Sequence, residues 1–153
     1  VGFPKFIKKM ADQKIKFNLA ISLHSAIQSV REFLMPFSKK ILIEELIDSL
    51  KYWISIKKSI ITFEYIVFDG INDSEKDIIE LIKICKKIPS KVNLIQYNSI
   101  NDDNFRNASI KSINRYSRLL SENNIINTIR KSRGDDIDAA CGQLANMEPN
   151  LKN

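Results

Sequence analysis

Histidine is nearly missing from this sequence: His24 is the only one in 153 residues. Cysteine is scarce too, with Cys85 and Cys141 alone. No grouping of the two residue types has metal-ligand spacing, which excludes a self-contained zinc or cluster site of the usual patterns. One Cys85–Cys141 bridge is the only disulfide available. Without a signal-peptide layout at the N-terminus, the expectation is instead two reduced thiols in a cytoplasmic protein. No apolar run is long enough to span a bilayer, so no membrane partner is expected. Glycine is sparse, four residues in all. There is no Gly-rich phosphate loop, no nucleophile elbow and no internal repeat.

What is present is an ordinary globular composition, 44% hydrophobic and 27% charged, long enough for one domain with a real core. The formal charge of +6 and the pI near 9.3 favour a polyanionic partner. Lysine outnumbers arginine and Ile and Asn abound, so general compositional drift is the lesser alternative to a nucleic-acid partner. Helical spacing and Pro4 predict a short helix over 4–13 with Phe3, Phe6, Ile7 and Met10 on its apolar stripe. Residues 16–24 alternate. Phe17, Leu19, Ile21 and Leu23 form a large apolar face; Asn18, Ala20, Ser22 and His24 form a small polar one. In a helix-covered sheet the first face packs under helices and the second lines an interior.

Further helices are expected over 26–34, ended by Pro36, and over 40–57, with Trp53 in the core. A strand over 59–68 is nearly all apolar except Glu64, which must either find a partner or face a polar interior. Asp73 or Ser74 caps the next helix, whose stripe Ile78, Leu81, Ile82, Cys85 and Ile88 makes Cys85 a buried hydrophobe. A strand over 91–98 ends at Asn98. A loop follows, then a helix over 108–123 with Arg115 and Arg118 exposed, and a last strand over 125–130. The alternation predicts an α/β fold with a parallel sheet, right-handed crossovers and outer helices. About four strands are present, fewer than a closed barrel needs.

The stretch Arg130 to Leu144 stands apart. Arg130, Lys131 and Arg133 lead into a glycine, then Asp135, Asp136 and Asp138, then a small-residue step to Cys141. Core packing does not call for that order. It reads as a segment that carries a thiol to a site, and Ser22, His24 and Asn98 at strand ends are the candidate site. The basic residues suit RNA phosphates or a solvated strand end. The acids either orient a helical turn or act at the site directly.

L-A-I-S-L-H (19–24), R-E-F-L-M-P (31–36), T-F-E-Y-I-V-F-D-G-I-N-D (62–73), K-V-N-L-I-Q-Y-N (91–98) and R-G-D-D-I-D-A-A-C-G-Q-L (133–144) resemble, in order, the radical-SAM RNA methyltransferases that act on C2 of an adenine in 23S rRNA. The resemblance implies the C-terminal half of a partial (β/α)6 radical-SAM barrel. Residues 1–147 would belong to that core domain, including the cysteine segment, and 148–153 would be a loose tail. It implies that Ser22, Leu23, His24 and Asn98 contact S-adenosylmethionine (SAM), and that Cys141 is catalytic. In such a family one SAM methylates the cysteine. A second, cleaved at a [4Fe-4S] cluster, yields the radical that activates the methyl for attack on C2. A second cysteine then releases the product and leaves a disulfide. The thiol must be nucleophile first and leaving group later, because C2 of adenine cannot attack the SAM methyl directly.

The resemblance further implies 23S rRNA as partner, leaves tRNA open as a second one, and fits a monomer at full length. The family's CxxxCxxC cluster motif, its Gly-Glu SAM motif and its resolving cysteine are absent from these residues. Cys85, on a helix stripe, does not fill the last role. The sequence is therefore expected to be a fragment that does not catalyse alone. Two alternatives stay open: a non-catalytic RNA-binding remnant, and the related enzymes that methylate C8 of the same adenine.

Overall fold

A computed structural model describes residues 2–13, 17–97 and 105–130. Helix α1, Pro4–Ala11, starts with proline in its first turn, where a missing N–H costs nothing. Its stripe is only partly buried. Ile7 and Ala11 face the core, whereas Phe3 and Phe6 stack edge to face on the surface. Strand β1 is Ala20–Ser22, shorter than the alternation predicted. Phe17, placed on the buried face by alternation, is 37% exposed and leans on Trp53.

Helix α2, Gln28–Leu34, stops two residues before Pro36, as the restriction on a residue preceding proline requires. A 3-10 turn, Pro36–Lys40, follows in the stretch between the two predicted helices. Helix α3, Ile43–Lys57, starts later, with Glu44 and Glu45 in its first turn. Trp53 is fully buried and its indole N–H donates to Ser59 Oγ at 3.0 Å. Strand β2 is Ile61–Ile66. Ser74, not Asp73, caps α4, Glu75–Lys87, in a reciprocal capping box with Asp77. Strand β3 is Ser90–Ile95, α5 is Ile110–Glu122 and β4 is Ile126–Arg130. Arg118 is exposed as expected, but Arg115 is half-buried and donates to the Asp73 carbonyl, pinning α5 to the turn before α4.

The strands form one parallel sheet in the order β1-β2-β3-β4. Each crossover is helical, as parallel neighbours need. The outward side chains Ile21, Phe63, Tyr65, Val92 and Leu94 are each no more than 2% exposed. They meet Leu46, Leu50, Trp53, Leu81, Ile113, Tyr116 and Leu120 from the helices in one continuous core. All helical cover on this face leaves the alternate residues, Ala20, Ser22, Glu64, Asn93 and Thr128, on the other, open face. Among the described residues no helix is long and apolar enough to cross a membrane.

Candidate functional site

The chain leaves β1 in a tight turn locked from three sides. Leu23 N–H donates to the Glu64 carbonyl at 3.0 Å, and Ser25 N–H donates back to the Leu23 carbonyl at 2.7 Å. His24, between them, has φ 55, a left-handed conformation that a non-glycine residue keeps only when its surroundings enforce it. Asn72 supplies that enforcement. Its amide donates to the carbonyls of His24 at 2.6 Å and Ile66 at 2.8 Å, and accepts from Phe68 N–H at 2.6 Å. Asn72 is itself fully buried, and Tyr116 donates its hydroxyl to the Asn72 carbonyl. Gly70, at φ 67, makes the preceding bend that an L side chain would strain.

The imidazole is fixed as firmly. His24 Nδ1 accepts from Ile66 N–H at 3.2 Å, so the proton of the neutral ring sits on Nε2. Burial above all, with nearby positive charge of which Arg31 is the lesser part, lowers its pKa to about 4. At neutral pH His24 is therefore an uncharged hydrogen-bond donor at Nε2 and not a base. Arg31 itself is wholly enclosed, and its three guanidinium nitrogens make no hydrogen bond. Its backbone is engaged instead: the N–H donates to the Ile27 carbonyl at 2.9 Å, and the carbonyl accepts from Met35 N–H at 2.8 Å and from Ser38 Oγ at 3.2 Å.

A polar row crosses the open face of the sheet. Ser22 is in register with Glu64, Glu64 with Asn93, and Asn93 with Thr128. Thr128 Oγ1 donates to Asn93 Oδ1 at 2.7 Å, and Asn93 Nδ2 donates to Glu64 Oε1 at 2.9 Å. Glu64 thus does both things the sequence left open: it has a partner and it faces the polar side. At the C-terminal end of the strands an aromatic group joins the site. Phe105 contacts Phe33, Phe68 and Tyr97, with centroids 5.2–6.2 Å apart, and Phe33 remains 60% exposed.

Ser22 and His24 lie together at the end of β1, beside Glu64. Leu23 is fully buried, so it can reach a ligand only through its backbone. Asn98, Lys131, Arg133 and Cys141 lie outside the described residues, whereas Arg130 ends β4 and is exposed. Cys85 is buried on α4, and burial raises its thiol to about 11, so it is not a thiolate at neutral pH. The sequence reading missed Asn72, Asn93, Thr128 and the enclosure of Arg31. The parity of Asn93 within K-V-N-L-I was the one signal available for the row. Among the described residues no group of three or more potential metal ligands occurs. A cleft of about 560 Å³ lies elsewhere, on the outer layer between α3 and α4, lined by Glu44, Glu80, Lys83 and other residues. It is open, is lined also by Ala26 and Gln28 and by none of Ser22, His24 or Glu64, and has the character of a solvated helix groove.

A neutral imidazole donor, a hydroxyl and a fixed carboxylate around one turn suit an uncharged or cationic polar ligand laid across the strand ends. No protein-family model matches the chain. It is 54% identical over 147 residues to a probable dual-specificity RNA methyltransferase RlmN of Flavobacterium psychrophilum, covering 96% of the chain and 42% of that protein. A protein of the same description from Clostridium novyi is 41% identical over 143 residues, again 42% of its length. The chain thus spans about two fifths of the curated relatives it matches. Among solved structures, a radical SAM methyltransferase from Sphaerobacter thermophilus superposes with a TM-score of 0.89 at 36% identity, over 93% of this chain and 42% of that one. A domain of pyruvate-formate lyase-activating enzyme from Bacteroides vulgatus shares the fold, with a TM-score of 0.64 at 16% identity.

Proposed function

We propose that this chain, a partial-length member of the radical-SAM dual-specificity RNA methyltransferase family, is the C-terminal part of an enzyme that methylates C2 of an adenine in 23S rRNA. The observation that carries the reading is the locked Ser22–His24 turn at the strand ends, on a sheet that superposes on a radical SAM methyltransferase with a TM-score of 0.89. The donor set fits SAM. His24 Nε2–H and the Ser22 hydroxyl can donate to its acceptors. Glu64 Oε2, enclosed and without a donor, can accept from its hydroxyl or ammonium groups. When bound, SAM supplies the methyl group and, at a reduced [4Fe-4S] cluster, the radical chemistry that activates it.

The chain's own residues have separate tasks. Ser22, Leu23, His24 and Asn98 hold SAM. His24 stays neutral, so it orients the ligand by hydrogen bonding without repelling the cationic sulfonium. Cys141 takes up the methyl as a thiolate, carries it to the base, and is released when a second thiol attacks its sulfur. Arg130, Lys131 and Arg133 bind RNA phosphates. The Phe33–Phe105 group offers a stacking surface for a splayed base, a mode that single-stranded RNA favours. The cluster ligands and the resolving cysteine lie upstream in the same gene. The protein works in the cytoplasm, as a monomer when complete, with tRNA as a further substrate.

Two experiments test this. Translation of the DNA preceding Val1 should reveal a CxxxCxxC motif; its absence there would defeat the fragment reading. Mass spectrometry of rRNA from cells with and without the gene should show loss of 2-methyladenosine in its absence. Loss of an 8-methyl mark would assign the C8 chemistry instead. Unchanged rRNA would leave a non-catalytic RNA-binding remnant.

A further inference from the structure

We infer that Glu64 is a ligand-contacting residue: a preset carboxylate on the open sheet face that accepts a hydrogen bond from SAM. The inference rests on the SAM-binding reading above. Three observations support it. The first is place. Glu64 is the register partner of Ser22, so a ligand held at the Ser22–His24 turn lies beside it on the same face.

The second is orientation. Glu64 Oε1 accepts from Asn93 Nδ2 at 2.9 Å, and Thr128 Oγ1 donates to Asn93 Oδ1 at 2.7 Å. The carboxylate only accepts, so it meets the NH2 end of the Asn93 amide, and the Thr128 hydroxyl satisfies the carbonyl end and anchors that amide. Asn93 and Thr128, on the next two strands, hold one Glu64 oxygen in place, although the row as a whole is polar and only half-covered.

The third is the free oxygen. Glu64 Oε2 is enclosed and has no hydrogen-bond donor. The ion pairs among the described residues are Lys51–Asp48, Lys83–Glu80 and Arg118–Glu122, all on exposed helix surfaces. None involves Glu64, so no lysine or arginine there neutralises it. An ionised carboxylate uses both oxygens as acceptors, and an enclosed oxygen without a donor is a costly arrangement. The relay satisfies one oxygen and leaves the other unpaired, and a donor from a ligand reaching it would complete the set. SAM carries two kinds of donor, its ribose hydroxyls and its ammonium group, and either meets the need.

Calorimetric titration of the complete, cluster-loaded protein containing this chain distinguishes the possibilities. The probes are SAM and 5′-methylthioadenosine, which keeps the ribose and lacks the amino-acid end. Glu64→Gln places an amide donor against the ligand's donor, and SAM affinity should fall at least about tenfold, as for loss of a charge-assisted hydrogen bond. Equal weakening of methylthioadenosine would assign the contact to the ribose. Unchanged methylthioadenosine binding would assign it to the ammonium. Undiminished SAM binding by a folded Glu64→Gln protein would overturn the inference. Should that variant not fold, Glu64→Asp keeps the charge and shortens the reach; full-strength SAM binding by it would overturn the inference equally. Failure of the unmodified protein to bind SAM would instead overturn the methyltransferase reading, and this inference with it.

Discussion

The two faces of one sheet behave as two different materials. On the outer face Ile21, Phe63, Tyr65, Val92 and Leu94 are sealed under helices. On the inner face Ser22, Glu64, Asn93 and Thr128, their neighbours in sequence, form a polar row open on one side. A strand period of two allows each strand to stabilise the fold with one set of residues and present chemistry with the other. A substitution one position along should therefore change which property is lost.

The largest expected break is on the outer face. Phe63→Ala should cost about 3–5 kcal/mol, the range for truncating a fully buried aromatic, as read by urea denaturation. Thr128→Val, on the inner face and exposed, should change stability by less than about 1 kcal/mol. A similar loss from both would show that the inner row is core after all.

Asn72 lies where the two regimes meet, and Asn72→Ala should cost about 3 kcal/mol. It removes two bonds donated by a buried amide and leaves Phe68 N–H without its acceptor. Because Asn72 holds His24 in its left-handed turn, SAM affinity should fall as well. A loss of stability with unchanged SAM affinity would mean that the turn does not position the ligand.

His24 gives a pH test of intermediate size. Its folded pKa, about 4, lies below the ordinary value of 6.5. The unfolded chain then binds more protons between those values, so stability falls as pH drops from 6.5 toward 4 and is flat above 6.5. The expected loss is about 2 kcal/mol, the full shift being discounted for the partial exposure of the ring. Comparing urea melts of wild type and His24→Gln over pH 4–7 isolates it; the variant should lack that slope.

On the outer face the smallest effect belongs to Cys85. Cys85→Val preserves an apolar side chain of similar volume and should cost less than about 1.5 kcal/mol, without change in SAM binding or turnover. In the native protein at pH 8 iodoacetamide should leave Cys85 largely unmodified, since its thiol titrates at about 11. Loss of turnover in Cys85→Val would make it part of the chemistry rather than of the core.

Much of the outer face was legible in the sequence because periodicity reports burial directly. The stripe through Trp53 and Cys85, the parallel α/β order and the cap at Ser74 all follow from local spacing. Local spacing misleads where an element ends at an edge. Phe3, Phe6 and Phe17 match an apolar stripe, yet at the rim of the core they are covered on one side only. Arg115 reads as a surface cation, but the turn before α4 captures it. The inner row was hidden for another reason. Glu64, Asn93 and Thr128 meet only through strand register, which is a relation between segments far apart in the chain. Asn72 reads as a turn residue; its role is visible only once β1 lies beside β2.

The most direct test concerns the thiol the inner face would serve. The complete protein should be purified with its resolving cysteine replaced, and its cysteine peptides analysed by mass spectrometry. One additional methyl group on the sulfur of Cys141, with Cys85 unmodified, is the predicted result. An unmodified Cys141 in protein that binds SAM and contains its cluster would contradict the account.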